Sequence, residues 1–257
     1  MHFDLTRPIA MDCPAAASTT ALLEVQRVRL RRGATQVFDG LDLRLDGERI
    51  GLIGHNGAGK TSLLRLLCGL DAPEAGQVLS QGQDLHTLPP GGPRARRVGM
   101  MFQNPDDQIL FPTVEEELAL GLQPRGAPKR ETLAQARAFL AARGLQDWAP
   151  RAVGALSQGQ RQQVCWLALL IAGPRTLLLD EPYASLDLPG QARLADEIGA
   201  CAQQVLVSTH VLEHVRHYPR VLWLEQGRVQ ADGPGREVCA AYEAAVAAEV
   251  AARRKEA

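Results

Sequence analysis

The sequence from Gly54 to Thr61, Gly-His-Asn-Gly-Ala-Gly-Lys-Thr, fits the phosphate-binding pattern Gly-x-x-x-x-Gly-Lys-[Ser/Thr]. The segment 49–53 before it, Arg-Ile-Gly-Leu-Ile, is typical of a buried strand, and the segment 62–67 after it is typical of a helix. A strand, a glycine-rich loop and a helix in this order restrict the chain to an α/β fold with a nucleotide-binding loop. The predicted contact residues are Gly54, His55, Asn56, Gly57, Ala58, Gly59, Lys60, Thr61 and Ser62.

These residue types suit a nucleoside triphosphate for physical reasons. Glycines let backbone N–H groups turn inward around phosphate oxygens, where a side chain would collide. The helix N-terminus and Lys60 supply positive charge, and the Thr61 hydroxyl is a ligand for Mg²⁺. A dinucleotide-binding Gly-x-G-x-x-G loop does not fit, because the glycine spacing differs and Lys60 would have no role.

Composition limits the other roles of the chain. Its 257 residues suffice for one large or two small domains, and a net charge of −1 argues against nonspecific affinity for nucleic acid. The five cysteines are scattered without a Cys-x-x-Cys pair, which favours a reducing cytosol over a disulfide or zinc framework. No apolar run approaches the ~18–20 residues of a membrane span. If the protein serves a membrane process, we expect other chains to cross the membrane.

A second motif follows a predicted strand. The apolar run 176–179 leads into Asp180 and Glu181. A hydrophobic strand that ends in two carboxylates is how phosphate-loop enzymes place an acid near the metal. We therefore expect Asp180 to hold Mg²⁺ directly or through water and Glu181 to polarise the attacking water.

With these motifs in place, residues 22–235 resemble the nucleotide-binding subunit of ATP-binding cassette (ABC) transporters. Leu156-Ser157-Gln158-Gly159-Gln160 is similar to the signature Leu-Ser-Gly-Gly-Gln of that family, with Gln158 in place of a glycine. The resemblance implies that Ser157, Gly159 and Gln160 face ATP held by the opposite subunit. The residue types agree with a contact to ATP phosphates, because a serine hydroxyl and a backbone N–H at a helix start form an anion site.

Three further positions match the family pattern. Gln103 corresponds to the glutamine loop that contacts Mg²⁺ and senses the membrane partner, and 185–187 to the dimer-contacting loop. His210 corresponds to the histidine that reaches the γ-phosphate. The aromatic residue that usually stacks on adenine is replaced, because Arg32 occupies that position. A guanidinium plane can stack on a purine, so we expect Arg32 to contact the base.

A narrower resemblance lies in Phe102-Gln103-Asn104-Pro105-Asp106-Asp107-Gln108 and in the acidic segment 112–117. Both are similar to the glutamine-loop region of energy-coupling factor (ECF) transporters, a class that imports vitamins and transition-metal ions. Five carboxylates between Asp106 and Glu117 would either receive arginines of a membrane coupling protein or form a solvated acidic face. The resemblance implies an importer for cobalt or nickel, with biotin or another vitamin as the alternative.

The resemblance also implies cofactors, partners and location. ATP and Mg²⁺ are the expected ligands, with Thr61 and Gln103 on the metal and Asp180 bound to it through water. The partners would be a second ATPase chain in a head-to-tail pair, a homodimer, together with a transmembrane coupling protein and a substrate-capture membrane protein. The chain would lie peripherally on the cytoplasmic face of the cell membrane and bind no nucleic acid.

The predicted fold is a RecA-like phosphate-loop NTPase core of α/β class with an antiparallel β subdomain and an inserted helical signature subdomain. We assign residues 1–20 to a mobile tail, 21–235 to the ATPase domain with its helical subdomain at about 104–160, and 236–257 to a C-terminal helix and charged tail. Thr113 and Glu116 predict a capped helix start.

Other functions stay open at this point. A soluble ATPase of the same superfamily that acts on ribosomes or DNA is the main rival, although the chain has one phosphate loop and no sustained heptads. A small-molecule kinase would leave 156–160 and His210 without a role. His210, His214 and His217 have helical spacing, which suggests a polar helix face more than a metal site.

Overall fold

A computed structural model of the protein describes residues 22–122 and 128–256, so the tail predicted for residues 1–20 lies outside the described residues. The strands in chain order are β1 (Leu23–Arg32), β2 (Thr35–Leu45), β3 (Arg49–Ile53), β4 (Ala75–Ser80), β5 (Gln83–Asp84), β6 (Val98–Met101), β7 (Thr176–Asp180), β8 (Gln204–Ser208), β9 (Arg220–Glu225) and β10 (Arg228–Gly233). The α-helices are α1 (Lys60–Leu67), α2 (Gly92–Ala95), α3 (Val114–Leu120), α4 (Lys129–Ala141), α5 (Gln158–Ala172), α6 (Leu188–Ala200) and α7 (Gly235–Glu256).

The larger sheet has the strand order β10-β9-β3-β8-β7-β6 within the described residues. All neighbours pair in parallel except the antiparallel pair β9 and β10. Every residue of β7 and of β8 is buried, as expected for parallel strands covered on both faces. The α/β class predicted from the sequence is confirmed.

The register of this sheet explains why distant motifs meet. One paired row crosses the parallel strands through Met101, Leu179, Val207, Gly51 and Val221. In four of these strands, a motif begins within three residues after this row. These motifs are the phosphate loop, Gln103, Asp180 and His210. Because the strands are parallel, these residues lie at the carboxyl edge of the sheet, where ligands bind in open α/β folds.

The smaller sheet is antiparallel, with the order β2-β1-β4-β5 in the described part of the chain, which confirms the predicted β subdomain. Its fully buried Phe38 lies beside the phosphate loop. A Cβ atom added to Gly59 would stand 3.2 Å from the Phe38 ring. The small sheet therefore limits the space on one side of the loop.

A helical segment lies between β6 and β7, as predicted. Helix α3 packs against α4 and α5, and a separate apolar cluster joins them. The cap predicted at Thr113 differs in detail: Thr113 is the N-cap residue, but its hydroxyl donates to the Glu116 carboxylate at 2.8 Å and caps no backbone N–H. Because the Thr113 hydroxyl accepts no backbone N–H, the reciprocal capping box does not form there.

Among the helices that the structure describes, none has the length and apolar character needed to cross a membrane.

Candidate active site

The phosphate loop connects the end of β3 to the start of α1. Its three glycines Gly54, Gly57 and Gly59 have φ values of 146°, 84° and 104°, which residues with a side chain rarely adopt. At Gly54 the space is also closed, because an added Cβ would stand 2.0 Å from the Leu224 carbonyl oxygen of β9. The sheet therefore supports the loop directly at Gly54, where the backbone of β9 leaves no room for a side chain.

Lys60, the first residue of α1, folds back over this loop. Its Nζ donates to the carbonyl oxygens of Gly54 at 2.7 Å and His55 at 3.1 Å. The side chain is only 8% exposed. Burial lowers the pKa of the Lys60 ammonium group, while the carboxylates of Glu181 and Asp180 act in the opposite direction. A buried cation held by two carbonyls over a glycine-rich cradle fits the phosphates of a nucleotide.

Thr61 and Asp180 come from different elements and meet at the carboxyl edge. The Thr61 hydroxyl donates to the Asp180 carboxylate at 2.7 Å, although 119 positions separate them in sequence. A hydroxyl and a carboxylate are the hard oxygen ligands that Mg²⁺ prefers, so the two residues fit the metal expected beside a triphosphate. Gln103 lies two residues beyond β6 and is exposed, at the same edge of the sheet.

Glu181 and His210 form the second contact at this edge. His210 Nδ1 lies 2.9 Å from Glu181 Oε2. Glu181 is 9% exposed, and its backbone N–H donates to the Ser208 carbonyl oxygen at 2.9 Å. Its φ of 48° is left-handed, which costs a non-glycine residue roughly 1–2 kcal/mol. The strained backbone of Glu181 thus accompanies a carboxylate held against an imidazole, an arrangement suited to proton transfer.

The segment Ser157–Gln160 is elsewhere on the molecule. Ser157 caps α5 through a reciprocal pair: its hydroxyl accepts from the Gln160 N–H at 3.3 Å, and its own N–H donates to Gln160 Oε1 at 3.0 Å. The segment lines a cavity of about 430 Å³ together with 185–187 and side chains of α5 and α6. No residue of the phosphate loop is among the described residues that line it. This cavity therefore contains the segment Ser157–Gln160 without the phosphate loop of the same chain.

The chain is similar to known proteins over most of its length. The family model described as ABC transporter matches residues 39–184, more than half of the chain. The chain belongs to the ABC transporter family. Its resemblance to ABC ATPases, inferred from the motifs, is confirmed, and so is the ATP hydrolase activity that the family implies.

Similar proteins indicate to which type of ABC ATPase the chain belongs. The biotin transport ATP-binding protein BioM of Rhodobacter capsulatus is 44% identical over 226 residues, which cover 88% of this chain and 96% of BioM. The ECF transporter ATP-binding protein EcfA1 of Streptococcus thermophilus is 37% identical and covers 75% of this chain and 71% of its own length. A solved structure of cbiO1 from Clostridium perfringens, part of the ABC transporter complex cbiONQ, has a TM-score of 0.73, 25% identity, and coverage of 88% and 93%. The ABC ATPase is of the ECF type.

Arg32 of this ABC ATPase has a partner that the sequence did not indicate. Its guanidinium pairs with the Asp71 carboxylate, which Arg65 also holds at 3.0 Å. Burial alone would raise the pKa of Asp71, but the hydrogen bond from Arg65 and the charge of Arg32 hold it below its ordinary value. Arg32 remains partly exposed, so an ionised Asp71 anchors one end of a guanidinium that can still meet a base.

The predicted contact of Arg32 with adenine has a direct test. Arg32→Ala should raise KM for ATP about two- to fivefold with little change in kcat, because stacking at an exposed site is worth about 0.5–1 kcal/mol. Arg31→Ala is the matched control, since adjacent side chains of β1 point to opposite faces of the sheet. The KM for ATP of each variant is measured by steady-state kinetics with the purified chain. Equal KM values for Arg32→Ala and the parent would exclude the contact.

The three histidines of the ABC ATPase do not converge. His214 stacks on Tyr183 with ring centroids 4.0 Å apart, and His217 meets the edge of the Tyr218 ring at 4.9 Å. No group of three metal-binding side chains is found in the described part of the chain. The contact of His214 with Tyr183 could not be read from the sequence, because it depends on how the segments after β7 and β8 pack.

Proposed function

We propose that the chain is the ATP-hydrolysing subunit of an ECF importer for biotin. The similarity to BioM carries this proposal, because it extends over nearly the full length of that protein and beyond the shared motifs. Cobalt or nickel, the cargo expected from the motifs, is the competing assignment. The glutamine-loop segment that suggested it is shared by ECF transporters in general and does not distinguish their cargo.

The geometry supports distinct roles for the site residues. Lys60 and the loop amides would hold the β- and γ-phosphates, and Thr61 and Gln103 would hold Mg²⁺, with Asp180 reaching it through water. When bound, Mg²⁺ neutralises charge on the phosphate oxygens. Glu181 would take a proton from the attacking water, and the contact at 2.9 Å lets His210 orient this carboxylate and face the transferred phosphoryl group.

A second copy of the chain would complete each site. Ser157 and Gly159 stand at the start of α5, a helix of 15 residues whose N-terminus favours anions. Since the cavity that they line contains no described residue of the phosphate loop of their own chain, we propose that they face the phosphates bound by the partner chain. Gln158, which replaces a signature glycine, is exposed and leaves the helix start regular.

Residues 104–117, which include the carboxylates between Asp106 and Glu117, would face the membrane partners. Most of these carboxylates already have partners within the chain. Asp106 pairs with Arg161 at 3.3 Å, Glu116 with Lys129 at 3.8 Å, and Glu115 with Arg137. Buried Glu117 accepts the N–H groups of Leu110 and Phe111, both at 2.9 Å. The segment is therefore a weak receptor for arginines. It presents instead the side chain of Leu110, 75% exposed, as the contact for a coupling protein.

The test uses the chain co-expressed with its genomic neighbours in a host that cannot take up biotin. We expect the tagged chain to copurify with membrane proteins and to support uptake of labelled biotin, and we expect Glu181→Gln to abolish that uptake. Labelled Co²⁺ and Ni²⁺ are supplied to the same cells in parallel. Metal uptake without biotin uptake would assign the competing cargo, and a chain that stays wholly soluble would favour the soluble ATPase class.

A further inference from the structure

Helix α7 connects two parts of the active site. It has 22 residues and packs against β9 and β10. Near its middle Glu243 accepts a hydrogen bond from Arg216 at 3.3 Å, which fixes the helix to the segment that follows His210. The helix is therefore held in place independently of the phosphate loop.

One residue of the phosphate loop reaches this helix. The His55 ring lies against the Tyr242 ring, with centroids 5.3 Å apart and planes tilted by 53°. Tyr242 in turn meets Trp223 of β9 edge to face, with centroids 5.3 Å apart at 81°. On the next turns of α7, Glu249 Oε2 lies 3.8 Å from His55 Nε2. The side chain of His55 thus has an aromatic and an acidic neighbour, both supplied by α7.

The backbone of His55 organises the loop. Its carbonyl oxygen accepts the Ala58 N–H at 3.1 Å, which closes the first turn, and Lys60 Nζ at 3.1 Å. A displacement of His55 would therefore move both the turn that presents N–H groups and the lysine that meets phosphate. By its contacts with His55, α7 helps to fix the position of Lys60 and of the loop N–H groups, which would bind the triphosphate.

The contacts of His55 with Tyr242 and with Glu249 differ in strength. The His55 and Glu249 side chains are 42% and 48% exposed, so water and salt weaken any electrostatic interaction between them. Tyr242 is half-buried, and burial together with the carboxylates of Glu225 and Glu249 raises the pKa of its hydroxyl, which stays neutral. The ring contact is therefore the stronger anchor, and the polar contact with Glu249 adds to it.

We propose that Tyr242, assisted by Glu249, is a positioning residue for nucleotide binding, because it holds His55 and so keeps the phosphate loop in the shape that receives the triphosphate. The proposal goes beyond the importer function and requires only that the loop binds ATP. It gives α7, which contributes no residue to the motifs, a defined effect on the site.

Removal of the ring is the direct test. Tyr242→Ala should raise the Kd for a fluorescent ATP analogue and the KM for ATP about two- to tenfold, with little change in kcat, since the ring touches no reacting group. Tyr242→Phe keeps the ring and should bind as the parent does. Glu249→Gln should have a smaller effect, and Glu237→Gln, an exposed carboxylate in the first turn of α7, should have none. If Tyr242→Ala does not fold, Tyr242→Leu, which retains bulk without a ring, replaces it.

A double-mutant cycle shows whether the effect passes through His55. In a His55→Ala background, Tyr242→Ala should cause no further loss of ATP affinity. Additive losses, an effect on kcat alone, or equal losses for Tyr242→Phe and Tyr242→Ala would overturn the proposal. A parent chain that binds no nucleotide would contradict ATP binding itself, so the two failures are distinguishable.

Discussion

Glu181→Gln is expected to lower kcat for ATP hydrolysis by about 10²- to 10⁴-fold, the usual contribution of a positioned general base. The amide retains the size of the side chain but cannot accept a proton from water. The contact with His210 at 2.9 Å can persist, because an amide oxygen accepts a hydrogen bond as a carboxylate oxygen does. ATP affinity should therefore stay close to that of the parent, and the ATP-bound chain should accumulate as a dimer.

Single-turnover kinetics with purified protein separate binding from chemistry, and size-exclusion chromatography with ATP detects the trapped dimer. Glu213→Gln is the matched control, because this carboxylate is three residues past His210, is exposed and pairs with Arg216. It should hydrolyse ATP normally. If Glu181→Gln also hydrolyses ATP at the parent rate and remains monomeric, Glu181 is not the base and another group activates the water.

The sequence indicated that the phosphate loop, Gln103, Asp180 and His210 would lie close together, because each follows an apolar strand in a parallel sheet. Parallel pairing places the ends of β3, β6, β7 and β8 at one edge, so strand ends far apart in sequence become neighbours. Thr61 and Asp180 are an example: a helix start and a strand end, each identified by its own pattern, meet at 2.7 Å. Here local patterns were sufficient.

Ion pairs with side chains outside the recognised motifs were not predictable. The pairing of Arg32 with Asp71 and of Asp106 with Arg161 leaves no periodic signal, because any of several charges could have been the partner. The left-handed backbone of Glu181 is also invisible, since the usual sequence sign of such a conformation is glycine. These features arise from packing around the site, and they are the ones that adjust its charge and shape.

The assignment of Ser157 to the partner's site leads to the second large effect. Lys60→Ala removes the cation at the phosphate loop, and Ser157→Arg blocks the start of α5 with a bulky charged side chain. Each variant alone should hydrolyse ATP at background rates, because in a symmetric pair both sites carry the same defect. When the two variants are mixed, one site of each mixed pair combines an intact phosphate loop with an intact signature segment.

An equal mixture should therefore recover about a quarter of the parent activity, since half of randomly formed pairs are mixed and each has one of its two sites intact. The matched control places both substitutions in one chain and mixes it with the parent. If each site were built within one chain, the first mixture would stay inactive and the control would retain about half of the parent activity. A shared site predicts about a quarter in both mixtures, because every mixed control pair has lost one component of each site. Steady-state hydrolysis, with mixing of the chains verified by two different affinity tags, therefore distinguishes a shared site from a site within one chain.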